Sequence, residues 1–154
     1  MDKNEAKQKS EKSGKIAAVR IRGLTEIKTT IKDTLKMLRL YKNNYCAVFP
    51  NNEFYLGMLK KSKDYITWGE IDEETLKMLV EKRGEQFKGR QADSKGKIAY
   101  NDFFVFGNIK YKKFFRLNAP RKGFGRKGVK HPFTSGGALG YRGTAISELI
   151  RRMI

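Results

Sequence analysis

From residue 103 to residue 147 the chain contains no aspartate and no glutamate, while Lys and Arg recur throughout. A self-contained folded surface normally mixes both signs, because like charges repel one another. A stretch of this kind cannot complete its own electrostatics, and the whole chain repeats the imbalance with a net charge of +18. Charge of that size opposes compaction unless a polyanion neutralises it. The excess is uneven: residues 101–154 hold 12 basic and two acidic side chains, so the last third carries more than half of it. Nine aromatics lie among these cations: Phe103, Phe104, Phe106, Tyr111, Phe114, Phe115, Phe124, Phe133 and Tyr141. Disordered basic tails are poor in aromatics. Rings interleaved with cations suit RNA, either packing on bases or anchoring the segment to its own domain.

Residues 116–143 carry seven glycines and two prolines, which excludes a long helix or a central strand. We read an extended arm, lying on a partner and taking its shape there. Upstream the pattern is regular. KIAAVRIR at residues 15–22 reads as a strand. Ile27, Ile31, Leu35 and Leu38 recur at helical spacing over residues 25–40, with Thr25 as cap. YCAVF at 45–49 is a second strand. Asn51 or Asn52 caps a second helix with Phe54, Tyr55, Met58 and Leu59 on one stripe. YITW at 65–68 is a third strand, closed by Gly69. Asp72 then caps a third helix, with Glu73 and Glu74 at its start and Lys82, Arg83 and Gly84 at its end. Residues 89–97 read as loop, and residues 98–113 fit either helix or strand. Residues 145–154 return to helix, with Ile146, Leu149, Ile150 and Met153 on one stripe.

The fold class is therefore α+β: a β-α-β-α-β core, with its helices on one face of a three-stranded sheet, an extra helix, and an extended basic Gly-rich C-terminal arm ending in a short helix. The chain divides into a polar tail (1–14), the core domain (15–88), a variable connection (89–113), and the arm with its terminal helix (114–154). Removing residues 115–141 should leave a folded domain that has lost most of its RNA affinity.

Several motifs point to chemistry that their context rejects. GFGRKG at 123–128 matches the dinucleotide fingerprint and nearly matches a phosphate-binding loop, with Val129 where that loop needs lysine. The fingerprint must follow a buried strand and open a helix, whereas Pro120 and Pro132 bracket this one. Its glycines read better as backbone that approaches nucleic acid closely. His131 is the only histidine, with no companion for a metal or an acid–base pair; a phosphate or base contact fits it best. Cys46, alone in an apolar strand, reads as a small core residue and points to a reducing compartment. Trp68 and Phe54 read as core. No apolar run approaches the ~20 residues of a spanning helix, so a membrane partner is not expected. Neither a cofactor, nor a small-molecule substrate, nor a catalytic residue is expected.

Several longer motifs occur together: VRIRG at 19–23, IKDTLKMLRL at 31–40, YLGMLKKSKDYITWGEID at 55–72, FRLNAPRKGF at 115–124, GGALGYRG at 136–143 and ISELIRRMI at 146–154. In these the chain resembles the large-subunit ribosomal protein family called L-thirty in bacteria and L-seven in eukaryotes, most closely its archaeal branch. The resemblance implies a core related to the ferredoxin-like arrangement, large-subunit rRNA as partner with 5S RNA as a further contact, neighbouring ribosomal proteins, a place in the cytoplasmic ribosome, and no catalytic residues. It departs from the archaeal pattern over about 88–113, where archaeal relatives usually carry a longer, acid-containing helical insertion. On this resemblance the rRNA contacts are Arg116, Arg121, Lys122, Arg126, Lys127, Lys130, His131 and Arg142, with Arg20, Arg22 and Arg39 as further candidates. The readings that compete with it are an RNA chaperone or other non-ribosomal RNA-binding protein, and a nucleotide enzyme built on GFGRKG.

Overall fold

The computed structural model describes residues 14–154. The expected polar tail, apart from Gly14, lies outside the described residues. The elements run β1 (Lys15–Arg20), α1 (Thr29–Met37), β2 (Tyr45–Pro50), α2 (Glu53–Lys61), β3 (Ile66–Ile71), α3 (Glu73–Arg83), β4 (Phe103–Phe106), β5 (Ile109–Lys112), β6 (Phe115–Arg116), β7 (Gly140–Tyr141) and α4 (Ala145–Met153). The β-α-β-α-β order is as the sequence predicts. β1 lies at the centre, antiparallel to β2 and β3, so β2-α2-β3 is a crossover split around β1.

The sheet has five strands rather than three, in the order β6-β2-β1-β3-β7. Both of its faces are covered. Side chains alternate across β1, so Ile16 and Ala18 join Leu35, Leu38, Leu40 and Leu59 of the α1 and α2 layer. Ala17 and Val19 face the other way, toward Leu79 of α3 and Ile146, Leu149 and Ile150 of α4. This double burial explains why KIAAVR is a nearly continuous apolar run. The one-face expectation holds for α1 and α2, while α3 and α4 occupy the opposite face.

Local chemistry accounts for the boundaries that differ. α1 begins after Lys28 and not after Thr25, and no side chain caps it. It ends earlier than periodicity suggests, in a Schellman turn: Leu40 N–H donates to Leu35 O and Arg39 N–H to Lys36 O, with Arg39 at φ 59°. Asn52 caps α2 as expected, accepting from Phe54 N–H, yet Phe54 itself is 81% exposed and is no core residue. Gly69 does not close β3 but sits inside it. A Cβ there would lie 1.9 Å from Gly143 O, so only glycine lets the chain beyond β7 cross so near. Asp72 precedes α3 without a side-chain cap bond; its N–H donates to Ser147 Oγ of α4 instead.

Within residues 98–113 the regular structure is strand, over β4 and β5. β4 and β5 form a hairpin about Gly107, packing Phe104 and Phe106 toward the α3 and α4 layer. The segment beyond it is not an extended arm shaped only by a partner. β6 pairs with β2, and β7 runs parallel to β3. Phe115 is buried in the same cluster as Val19 and Ile150. Removing residues 115–141 would therefore take two strands and a core aromatic out of the domain, so deletion cannot separate folding from binding.

Candidate nucleic-acid interface

Residues 117–139 leave and re-enter the sheet at one end. Leu117 N–H donates to Asn44 O, and Asn118 N–H to Met153 O. The loop then closes on itself: Lys127 N–H donates to Gly136 O, Ala138 N–H to His131 O and Phe133 N–H to Leu139 O. Phe124 packs beneath it against Ile21, Ala138 and Leu139. Most of the interleaved aromatics are anchors. Phe104 packs on Phe115 and Tyr111, and Phe114 stacks on Tyr45 with centroids 5.4 Å apart. Phe133 and Tyr141 remain exposed.

Two expected contacts are corrected by burial. Arg20 is 1% exposed. Its Nη1 donates to Leu40 O at 2.8 Å and Tyr41 O at 3.1 Å, and its Nε to Arg22 O at 2.9 Å. It holds loop carbonyls together and cannot reach an RNA. Arg142 is 6% exposed: Nε donates to Thr67 Oγ1 and Nη2 to Ala138 O, both at 3.0 Å, with Phe133 lying over the guanidinium at 4.6 Å. Burial pulls its pKa down to about 10, and the neighbouring Arg152 adds to that pull. The guanidinium stays charged at neutral pH and fastens the far end of the loop to β3.

Three candidates are partly engaged. Arg22 is half-buried over the Tyr65 ring and donates to Asp64 O. Arg39 pairs with Asp102 at 2.9 Å. Arg116 and Lys112 share Glu85; the hydrogen bond from Lys112 holds the Glu85 carboxyl below its ordinary range, with Arg116 contributing further. The remaining six, Arg121, Lys122, Arg126, Lys127, Lys130 and His131, are brought together on the loop and are all exposed. Among the described residues none of these six forms an ion pair. The arrangement offers a dense, acid-free cationic surface on a backbone whose shape is set from beneath.

Sequence reasoning missed Arg152. From α4 its Nη1 donates to Arg121 O at 3.1 Å and Gly123 O at 3.0 Å, gripping the loop where the cations begin. Its signal was faint: an arginine off the apolar stripe of a terminal helix. One glycine of GFGRKG, Gly125, also acts differently from the expectation. A Cβ on Gly125 would meet Gly137 O at 2.6 Å, so this glycine serves packing within the loop and not approach to an RNA. No strand leads into GFGRKG and no helix follows it, which removes the dinucleotide reading on geometry. Cys46 is fully buried, its thiol pushed up to about 12 by that burial, as suits a core residue.

The model of the ribosomal protein L30p/L7e family matches residues 16–66. A large ribosomal subunit protein uL30 from Nanoarchaeum equitans is 42% identical over 151 residues, covering 90% of this chain and 97% of the relative. The chain belongs to the L30p/L7e family. Its uL30 relative in Methanopyrus kandleri is 44% identical over 149 residues (87% of this chain, all of the relative), and that in Staphylothermus marinus 39% over 158 residues, covering 90% and 97%. The family is structural and not enzymatic. The family model ends at Ile66, whereas the similarity to these relatives covers about nine-tenths of the chain.

Proposed function

We propose that the protein is a structural constituent of the large subunit of the cytoplasmic ribosome, and that the loop between β6 and β7 binds large-subunit rRNA. The observation that carries the reading is the set of six exposed side chains from Arg121 to His131, on a loop with no carboxylate anywhere in residues 103–147. Phosphates are the natural neutralising groups for such a surface, and Arg meets them in bidentate fashion. Arg116 joins the set by exchanging Glu85 for phosphate; Arg22 and Arg39 extend it along the same end of the sheet. The loop is held by Arg142, Arg152 and Phe124, so little ordering entropy is lost on binding.

Each phosphate neutralised releases counterions, so log affinity should fall linearly with log salt. The test is binding of the purified protein to transcribed large-subunit rRNA across a salt series. A steep slope that lessens on neutralising Arg126 and Lys127 supports the reading; a flat slope refutes it. Running 5S RNA in parallel tests the same surface for a second RNA partner.

A further inference from the structure

Strand β2 is covered on its outer side for only part of its length. β6 pairs with Tyr45 and Cys46, and then the chain bends away, leaving residues 47–50 without a neighbour on that side among the described residues. The hairpin has an open edge too. β5 is paired on both sides, by β4 and by residues 85–87, through Phe87 N–H to Lys110 O and Lys112 N–H to Glu85 O. β4 pairs only with β5 among the described residues.

These two open edges line one cleft of about 1130 Å³ that wraps around the free half of β2. That exceeds the roughly 300–1,000 Å³ of a small-molecule pocket. Val48, Val80, Phe104 and Phe106 line its α3 side; Met37 and Phe49 line its α1 side. Val105 and Met37 present apolar groups to solvent there, at 59% and 67% exposure. One end carries Arg39 and Lys113. Arg39 already has Asp102, whereas Lys113 makes no ion pair among the described residues. Burial and the Arg39 charge disfavour the Lys113 ammonium and Asp102 offsets them only in part, so a further, incoming carboxylate would relieve it.

An open strand edge offers N–H and C=O groups at strand spacing, which another polypeptide strand satisfies and a sugar–phosphate chain does not. We infer that the cleft between the free half of β2 and strand β4 is a docking groove for an extended segment of a neighbouring protein, with alternating apolar side chains and a carboxylate that meets Lys113. The segment adds as a strand, its apolar side chains facing Val48 and Phe106. This surface is separate from the cationic loop and shares only Arg39, at one end, with the proposed RNA-facing set.

The test is photo-cross-linking within purified large subunits that have incorporated the protein with benzoylphenylalanine in place of Val105. The expected product is a polypeptide whose cross-linked segment alternates apolar residues and carries Asp or Glu. Cross-linking to RNA, no cross-link, or attachment to a segment without that pattern overturns the proposal. Lys113→Glu should lower the yield at least about fivefold, and Lys113→Met by less; an unchanged yield with both also overturns it. The same probe at Val129, on the loop, is expected to reach RNA, so failure of the loop reading and failure of the groove are told apart.

Discussion

Arg142 and Arg126 lie in the same acid-free segment, yet they do opposite work. The first is enclosed between Thr67, Ala138 and Phe133; the second stands in solvent on the loop that the first holds down. Arg20 and Arg121 repeat the contrast, one bonded to three backbone carbonyl oxygens, the other open at the side chain. Positive charge in this protein is thus divided between cations that shape a surface and cations that present it. The shaping set makes its bonds before any partner arrives. The presenting set leaves its charge for the partner.

The contrast can be broken most severely under the shaping set. Gly69→Val should displace the chain at Gly143, detach β7 and cost more than about 3 kcal/mol, read by urea unfolding. Arg142→Met leaves Ala138 O and Thr67 Oγ1 without a buried donor, and should cost about 2–3 kcal/mol in the same measurement. Arg152→Met is the sharper case. It should weaken RNA affinity while leaving the salt slope as in wild type, because every phosphate keeps its cation and only the loop's shape is loosened.

The presenting set should behave the other way. Arg126→Ala with Lys127→Ala should leave unfolding within about 0.5 kcal/mol of wild type. Its salt slope should decrease by roughly 0.7–0.9 for each phosphate that is no longer neutralised. A double variant that unfolds readily, or that keeps the full slope, would erase the division between the two sets. The smallest effect concerns pH. The Glu85 carboxyl titrates below its ordinary range in the folded state, so its pairing with Lys112 and Arg116 stabilises the fold above the ordinary carboxylate range. That stability is lost as pH falls through the lowered value. Glu85→Gln should flatten this acid-side decline in an unfolding series from neutral to acid pH.

Much of the fold was legible because it is local. The α4 stripe of Ile146, Leu149, Ile150 and Met153 is fully buried, and α1, α2 and the three central strands fall within a few residues of their pattern. The failures have physical reasons. Thr25 resembles a cap, but Lys28 is still extended and the helix begins only beyond it. Gly69 resembles a strand end because its neighbour in space, Gly143, is far away in sequence. Phe54 shares a stripe with Tyr55, Met58 and Leu59, yet it stands in the first turn of α2 and is left exposed. The hairpin was ambiguous because Phe104 and Phe106 pack against the α3 and α4 layer, which no local period records.

The candidate site divides in the same way. By itself the sequence determined that residues 103–147 carry positive charge without counter-charge, since that is a property of composition alone. It determined the β-α-β-α-β order and the terminal helix, since apolar spacing dictates which face must be buried. Only the tertiary structure decided which cations are free. Arginine reads the same in sequence whether it lies under a loop or on top of one. The choice depends on carbonyl and hydroxyl partners, some of which the fold brings from 20 and 75 positions away.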